Sequence, residues 1–181
     1  MKKRAQQEAN QLMQRMKLHG NIDIKNMMKN VDQRLRIGCW DFGGQEIFYT
    51  VHHLFLTRYG CYLVVFNMEN ICNEDGAIRK KSLNFIRFWL NSIGLHAVKK
   101  RNEAEDNVDP GSPVIIIGTH KDIIKDAAQH SQINEILKTE LDHELKQIFL
   151  VNNNTENLNF FPVDNTNPSD ANIINIRKQV E

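Results

Sequence analysis

The sequence predicts an α/β protein with an open, mostly parallel sheet and helices on both faces, and three observations carry that reading. Two short, continuous apolar runs, CYLVVF at residues 61–66 and PVIII at residues 113–117, are too short for buried helices. They read as strands buried on both faces, the pattern of a parallel sheet. Between and after them, apolar side chains recur at helical spacing: Ile78, Phe85, Ile86, Trp89, Leu90 and Ile93, then Ile133, Ile136, Leu137, Leu141, Leu145, Ile148 and Phe149. These are crossover helices, and strands alternating with them make doubly covered sheets. Three polar clusters, DFGGQE, THKD and VDNT, directly follow strands, where ligands of open α/β sheets bind.

In chain order, residues 2–18 are basic and helix-favouring, with Leu12, Met13, Met16 and Leu18 as a thin apolar set and Gly20 as a terminator. Residues 1–20 therefore read as a helix or tail set apart from a domain over residues 21–181. Ile22, Ile24, Met27 and Met28 lead through the polar turn KNVDQ to residues 35–40, as in an antiparallel hairpin that ends at Asp41. Residues 99–112 are charged and close on Pro110-Gly111, which reads as a solvent loop. Leu158 to Val163 supplies another strand, and Ser169 stands at the cap of a last helix bearing Ile173, Ile174, Ile176 and Val180. There is no internal repeat.

Composition narrows the class. With 181 residues and 41% hydrophobic content, the chain can bury one core without disulfides or metal staples. The balance of 23 basic against 22 acidic residues provides no field to draw nucleic acid. Cys39, Cys61 and Cys72 form no CxxC pair, and the first two fall in apolar runs where a thiol packs as a small hydrophobe. A reducing, cytoplasmic setting follows. No apolar run reaches the roughly 18 residues a membrane span requires, and the basic, polar first residues lead one to expect no leader peptide. His52 and His53 have no cysteine or carboxylate at metal spacing and read as packed side chains.

The cluster after the hairpin suits a nucleoside triphosphate. A carboxylate such as Asp41 can hold magnesium through water, glycine lets an N–H approach a phosphate closely, and a glutamine amide can orient water. WDFGGQE at residues 40–46, followed by HHLFLTRYGCYLVVFNM, resembles the Roc domain of Roco proteins, a branch of the Ras-like GTPases with a P-loop NTPase-type fold. The resemblance extends from about Leu35 to the last helix. It implies GTP or GDP with Mg2+ as ligands, Asp41 as the magnesium-side carboxylate, Gly44 as the backbone contact to the terminal phosphate, and Gln45 as the water-positioning residue. It also implies a base-reading element at Thr119, His120 and Asp122, in the THxD form rather than the commoner NKxD. Asp122 accepts two N–H donors from guanine, whereas adenine would leave the carboxylate poorly paired. Asp164 and Asn165 match only by position, where the family contacts the guanine carbonyl through the backbone. A COR-containing parent, a dimer formed with it, and a protein partner at the switch-like residues 45–58 are further implications.

One element of the family pattern is missing. No GxxxxGK[ST] occurs, so the first strand and phosphate loop are absent from the reading, and no serine or threonine precedes Thr50. Backbone N–H groups and a lysine supply most of the grip on a pyrophosphate. Each such charge-assisted contact contributes about 1.5–3 kcal/mol, so poor nucleotide binding is expected. The chain reads either as a fragment of a GTPase domain or as a degenerate domain serving as a non-catalytic interaction module.

Overall fold

The computed structural model describes residues 38–42, 56–57, 59–97 and 111–180. The chain divides into two compact units, Met1–Trp40 and Asp41–Glu181, and each is taken by itself. In the first, residues 38–40 are described and form no regular element. The N-terminal helix, most of the expected hairpin, Gly44, Gln45 and residues 46–55 lie outside the described residues, as does nearly all of the 99–112 loop.

The second unit begins its regular structure with strand β1 (Tyr62–Asn67). Asn67 turns the chain by capping the short helix α1 (Met68–Cys72), its side chain accepting from the Glu69 N–H at 2.8 Å. Asp75 caps the long helix α2 (Gly76–His96) in the same way. Arg79 fixes the angle between the two helices, donating from Nε to the Ile71 carbonyl and from Nη2 to the Asn73 carbonyl at 2.9 and 3.0 Å. Strand β2 (Pro113–Thr119) follows. Helices α3 (Ala127–Glu140) and α4 (Asp142–Leu145) then lead to strands β3 (Phe149–Leu150) and β4 (Phe161–Pro162), and helix α5 (Ala171–Val180) closes the unit.

All the pairings between the described strands are parallel, and β2 is central. β1 runs along one edge with Tyr62 opposite Val114 and Asn67 opposite Thr119. On the other edge β3 pairs with the amino half of β2 and β4 with the carboxyl half. Between those two short strands the chain leaves the sheet, closed at its base by an antiparallel bridge from Asn153 to Leu158. The expected strand over residues 158–163 is therefore cut to two residues. Leu158 hydrogen-bonds to Asn153 instead of to β2, and Pro162 has no N–H to offer a further strand.

Helices cover both faces, as the apolar periodicity predicts. On one face Val64, Phe66, Val114 and Ile116 meet Ile86, Leu90 and Ile93 of α2 and Ile133 and Leu137 of α3, with Phe160 among them. On the other, Ile115, Ile117, Phe161 and Val163 meet Ile176 of α5. β2 is buried from Val114 to Gly118, but β1 is not. Leu63 and Val65 are 50% and 46% exposed, correcting the expectation of a strand buried on both faces. Cys39 and Cys61 are likewise exposed rather than packed. The second helix also departs from its sequence pattern. Leu141 at φ −124° ends α3, α4 is a single turn, and Phe149 belongs to a strand. No helix among the described residues is long and apolar enough to cross a membrane.

Gly118 shows how tightly β2 is seated under its neighbours. A Cβ built there would lie 2.7 Å from Met68 Cγ and 2.9 Å from a ring carbon of Phe160. Both neighbours are fully buried and have little room to yield. Gly118→Ala should therefore lower the unfolding free energy by about 1–3 kcal/mol, the usual range for overpacking, despite the better strand propensity of alanine. Urea unfolding followed by circular dichroism measures this, and an unchanged midpoint would show that Met68 and Phe160 repack freely.

Candidate functional site

Parallel strands deliver their carboxyl ends to one edge of a sheet, and here those ends carry Asn67 and Glu69 after β1, residues 119–122 after β2, and residues 163–166 after β4. The register places Thr119 opposite Asn67, and the Thr119 hydroxyl donates to the Phe66 carbonyl at 3.1 Å. His120 is in the left-handed region at φ 68°, where a side chain costs energy unless its surroundings hold it. They do. Its carbonyl accepts from the N–H groups of Ile123 and Ile124 at 3.1 and 2.9 Å, its Nδ1 is 2.9 Å from Thr119 Oγ1, and its Nε2 is 3.9 Å from a Glu69 carboxylate oxygen. Behind the turn, buried His130 holds the Ile124 carbonyl through Nε2 at 2.8 Å.

Two backbone bonds stitch the β2 and β4 ends together. Val163 N–H donates to Gly118 O at 2.8 Å, and Lys121 N–H donates to Val163 O at 3.2 Å. Thr119, His120 and Asp122 are thereby brought beside Asp164 and Asn165, with Asp122 and Asn165 exposed. The Asp164 carboxylate closes a small turn, accepting from the Thr166 hydroxyl at 2.6 Å and the Thr166 N–H at 3.0 Å. The Thr166 hydroxyl bond is the main reason its carboxyl titrates below the ordinary aspartate range. The bond to Thr166 thus favours the ionised form; its contribution is present above the ordinary aspartate value and fades as pH falls through the lowered one.

Asp41 is exposed and is not among the groups joined by these bonds. Its neighbour Phe42 packs on Trp89 of α2, with ring centroids 5.8 Å apart. Gly44 and Gln45 are outside the described residues. No cluster of three or more metal-ligating side chains occurs among the described residues.

Behind the stitched loops lies a polar network that sequence reasoning missed. Lys121 Nζ is 3.6 Å from Asp170 Oδ2 and 3.8 Å from Glu156 Oε1. Asp170, not Ser169, caps α5, accepting from the N–H groups of Asn172 and Ile173 at 2.8 and 3.2 Å. Glu156 Oε2 accepts from the amides of Asn153 and Asn172 at 2.8 and 3.2 Å, and Asn172 also donates to the Pro162 carbonyl at 2.8 Å. Asn153, Asp170 and Asn172 are all buried. Adjacent cap-type residues at 169 and 170 carried a signal for the cap, but the polar run VNNNTEN carried none for the burial of Asn153.

The family described as Ras of Complex, Roc, domain of DAPkinase matches residues 1–122, a match that ends on Asp122. Among curated proteins, the probable serine/threonine-protein kinase roco6 of Dictyostelium discoideum is 35% identical over 108 residues, covering 60% of this chain and 4% of that protein. The probable serine/threonine-protein kinase pats1 of the same organism is 34% identical over 90 residues, 50% of this chain and 2% of that protein. Leucine-rich repeat serine/threonine-protein kinase 1 of Mus musculus is 27% identical over 93 residues, 51% of this chain and 4% of that protein. The chain thus spans a few per cent of the length of these relatives. No solved structure matches.

Proposed function

The chain belongs to the Roc domain family of the Roco proteins, and from that premise we propose that residues 119–122 and 163–165 form the base-reading half of a guanine-nucleotide site. The observation that supports this reading is the pair of backbone bonds joining the β2 and β4 ends through Val163. They set an exposed carboxylate, Asp122, and the backbone of Asp164 and Asn165 at one sheet edge. The residues fit a guanine. Asp122 would accept the N1–H and the 2-amino group, and an N–H of the 164–165 turn would meet the base carbonyl group. Thr119 and His120 would border the base from the β2 side.

Asp41 would be the magnesium-side carboxylate, Gly44 the N–H contact to the terminal phosphate, and Gln45 the residue that orients water. Bound magnesium would neutralise charge on the phosphates. GTP hydrolysis is the activity of the family pattern to which these residues correspond, and a protein surface at residues 45–58, a dimer with a COR-containing parent and a cytoplasmic location accompany the same reading.

A second reading is favoured by one specific observation, the absence of GxxxxGK[ST] and of any serine or threonine before Thr50. On that reading the domain is a non-catalytic interaction module that binds nucleotide weakly or not at all. Titration of the 15N-labelled chain with GMP and AMP separates the two, because a monophosphate tests the base site without demanding a phosphate loop. The base-reading half predicts saturable GMP shifts at residues 119–122 and 163–166 in the millimolar range, with AMP at least about tenfold weaker, one charged hydrogen bond's worth of discrimination. Equal response to both nucleotides, or none, would leave the interaction module as the function.

A further inference from the structure

Lys121 occupies the third position of THKD, one residue before the proposed base-reading carboxylate. Its backbone N–H is tied to Val163, which directly follows β4, and its ammonium stands between a buried carboxylate, Asp170, and the partly covered Glu156. Each of those carboxylates is itself anchored. Asp170 Oδ1 holds the first turn of α5, and Glu156 Oε2 holds the amides of Asn153 and Asn172. Lys121 is therefore fastened to the end of β4, to the excursion between β3 and β4, and to the amino end of α5. A lysine whose only task was to solvate the turn would not be drawn to two carboxylates, one of them buried, at the cost of its own hydration.

We propose that Lys121 is a positioning residue of the base-reading site, acting through Asp122. With residue 121 pinned by its backbone and its side chain, and residue 120 held in the left-handed region, the turn has little freedom left at residue 122. The Asp122 carboxylate is then presented in one orientation and can accept two base donors at once. Losing the pin frees the turn, and a carboxylate that samples several orientations keeps one hydrogen bond more easily than two. The inference rests on the guanine reading of Asp122.

The comparison of GMP with IMP tests it, because inosine lacks the 2-amino group and so reports only the second hydrogen bond. In the parent chain, GMP should bind about tenfold more tightly than IMP, the discrimination expected from one hydrogen bond to a charged group. In Lys121→Met that ratio should fall to about two or less while IMP affinity changes little, and Lys121→Arg should restore most of it. If Lys121→Met does not fold, the double variant Glu156→Gln, Asp170→Asn removes both ionic partners while asparagine retains the helix cap, and the same collapse is expected there. A ratio that stays near tenfold in the folded variants overturns the proposal and leaves the guanine reading standing. So does an equal loss of GMP and IMP affinity, which is what a purely structural lysine would produce. A parent chain that does not distinguish GMP from AMP overturns both.

Discussion

Asp122→Ala should remove the preference for GMP over AMP that the base-reading proposal predicts, and should leave the fold intact. The carboxylate is exposed, and replacements at such positions usually change stability by less than about 0.5 kcal/mol, so the unfolding midpoint should not move measurably. Binding is different. Two base N–H groups donating to a carboxylate are worth about 1.5–3 kcal/mol each where water is excluded, but solvent screens an exposed group, and a total of about 1.5–3 kcal/mol is the reasonable figure. GMP affinity should therefore drop roughly ten- to a hundredfold while AMP affinity stays the same or rises slightly, since adenine no longer faces an unpaired charge. Shift titration measures both constants. Should GMP lose no more affinity than AMP, Asp122 does not read the base, whatever its place in the sequence pattern.

Much of this arrangement was legible beforehand, for identifiable reasons. β2 and α2 announce themselves because PVIII has no room for a helix and because Ile86, Leu90 and Ile93 can share a face only at helical period. THKD and VDNT could be assigned to one sheet edge because parallel strands put their carboxyl ends together. The structure adds that Val163 joins those two clusters through backbone bonds on either side of it, to Gly118 and from Lys121. Side-chain patterning has no access to such bonds.

Where the sequence misleads, a local backbone event has overridden the pattern. Leu141 and Leu145 continue the helical spacing of Ile133 and Leu137, yet α3 ends at Leu141, whose φ of −124° leaves the helical range although its N–H still makes the last helical bond, to Leu137. Leu158 looks like the start of a strand, but its backbone pairs with Asn153, and the left-handed Asn157 just before it turns the chain. Apolar periodicity is blind to both because the side chains still enter the core. Leu63 and Val65 mislead in the opposite way: CYLVVF is uniformly apolar, but α5 covers β2 and β4 on that face while these two side chains remain half exposed. The run of residues tells what could be buried, and the placement of one helix decides what is.

Phe160→Ala has the largest expected effect on stability, and it reaches the candidate site as well. Phe160 is fully buried, meets Phe66 edge-on with ring centroids 5.6 Å apart, and packs over the bare α-carbon of Gly118. Truncation removes the transfer free energy of the ring and leaves a cavity whose walls, from β1, β2 and α1, are elements that cannot all move inward. A loss of about 3–5 kcal/mol is expected, a large share of the roughly 5–15 kcal/mol that holds such a domain together. For a chain of this size that corresponds to a fall in Tm on the order of 10 °C. Phe160 also immediately precedes β4, so its loss should loosen the strand that leads into Val163. Amide exchange can separate the two consequences: the Val163 and Lys121 N–H groups should lose more protection than amides in the middle of α2. A uniform loss would mean that Phe160 stabilises the domain as a whole without specifically holding the β4 end beside β2.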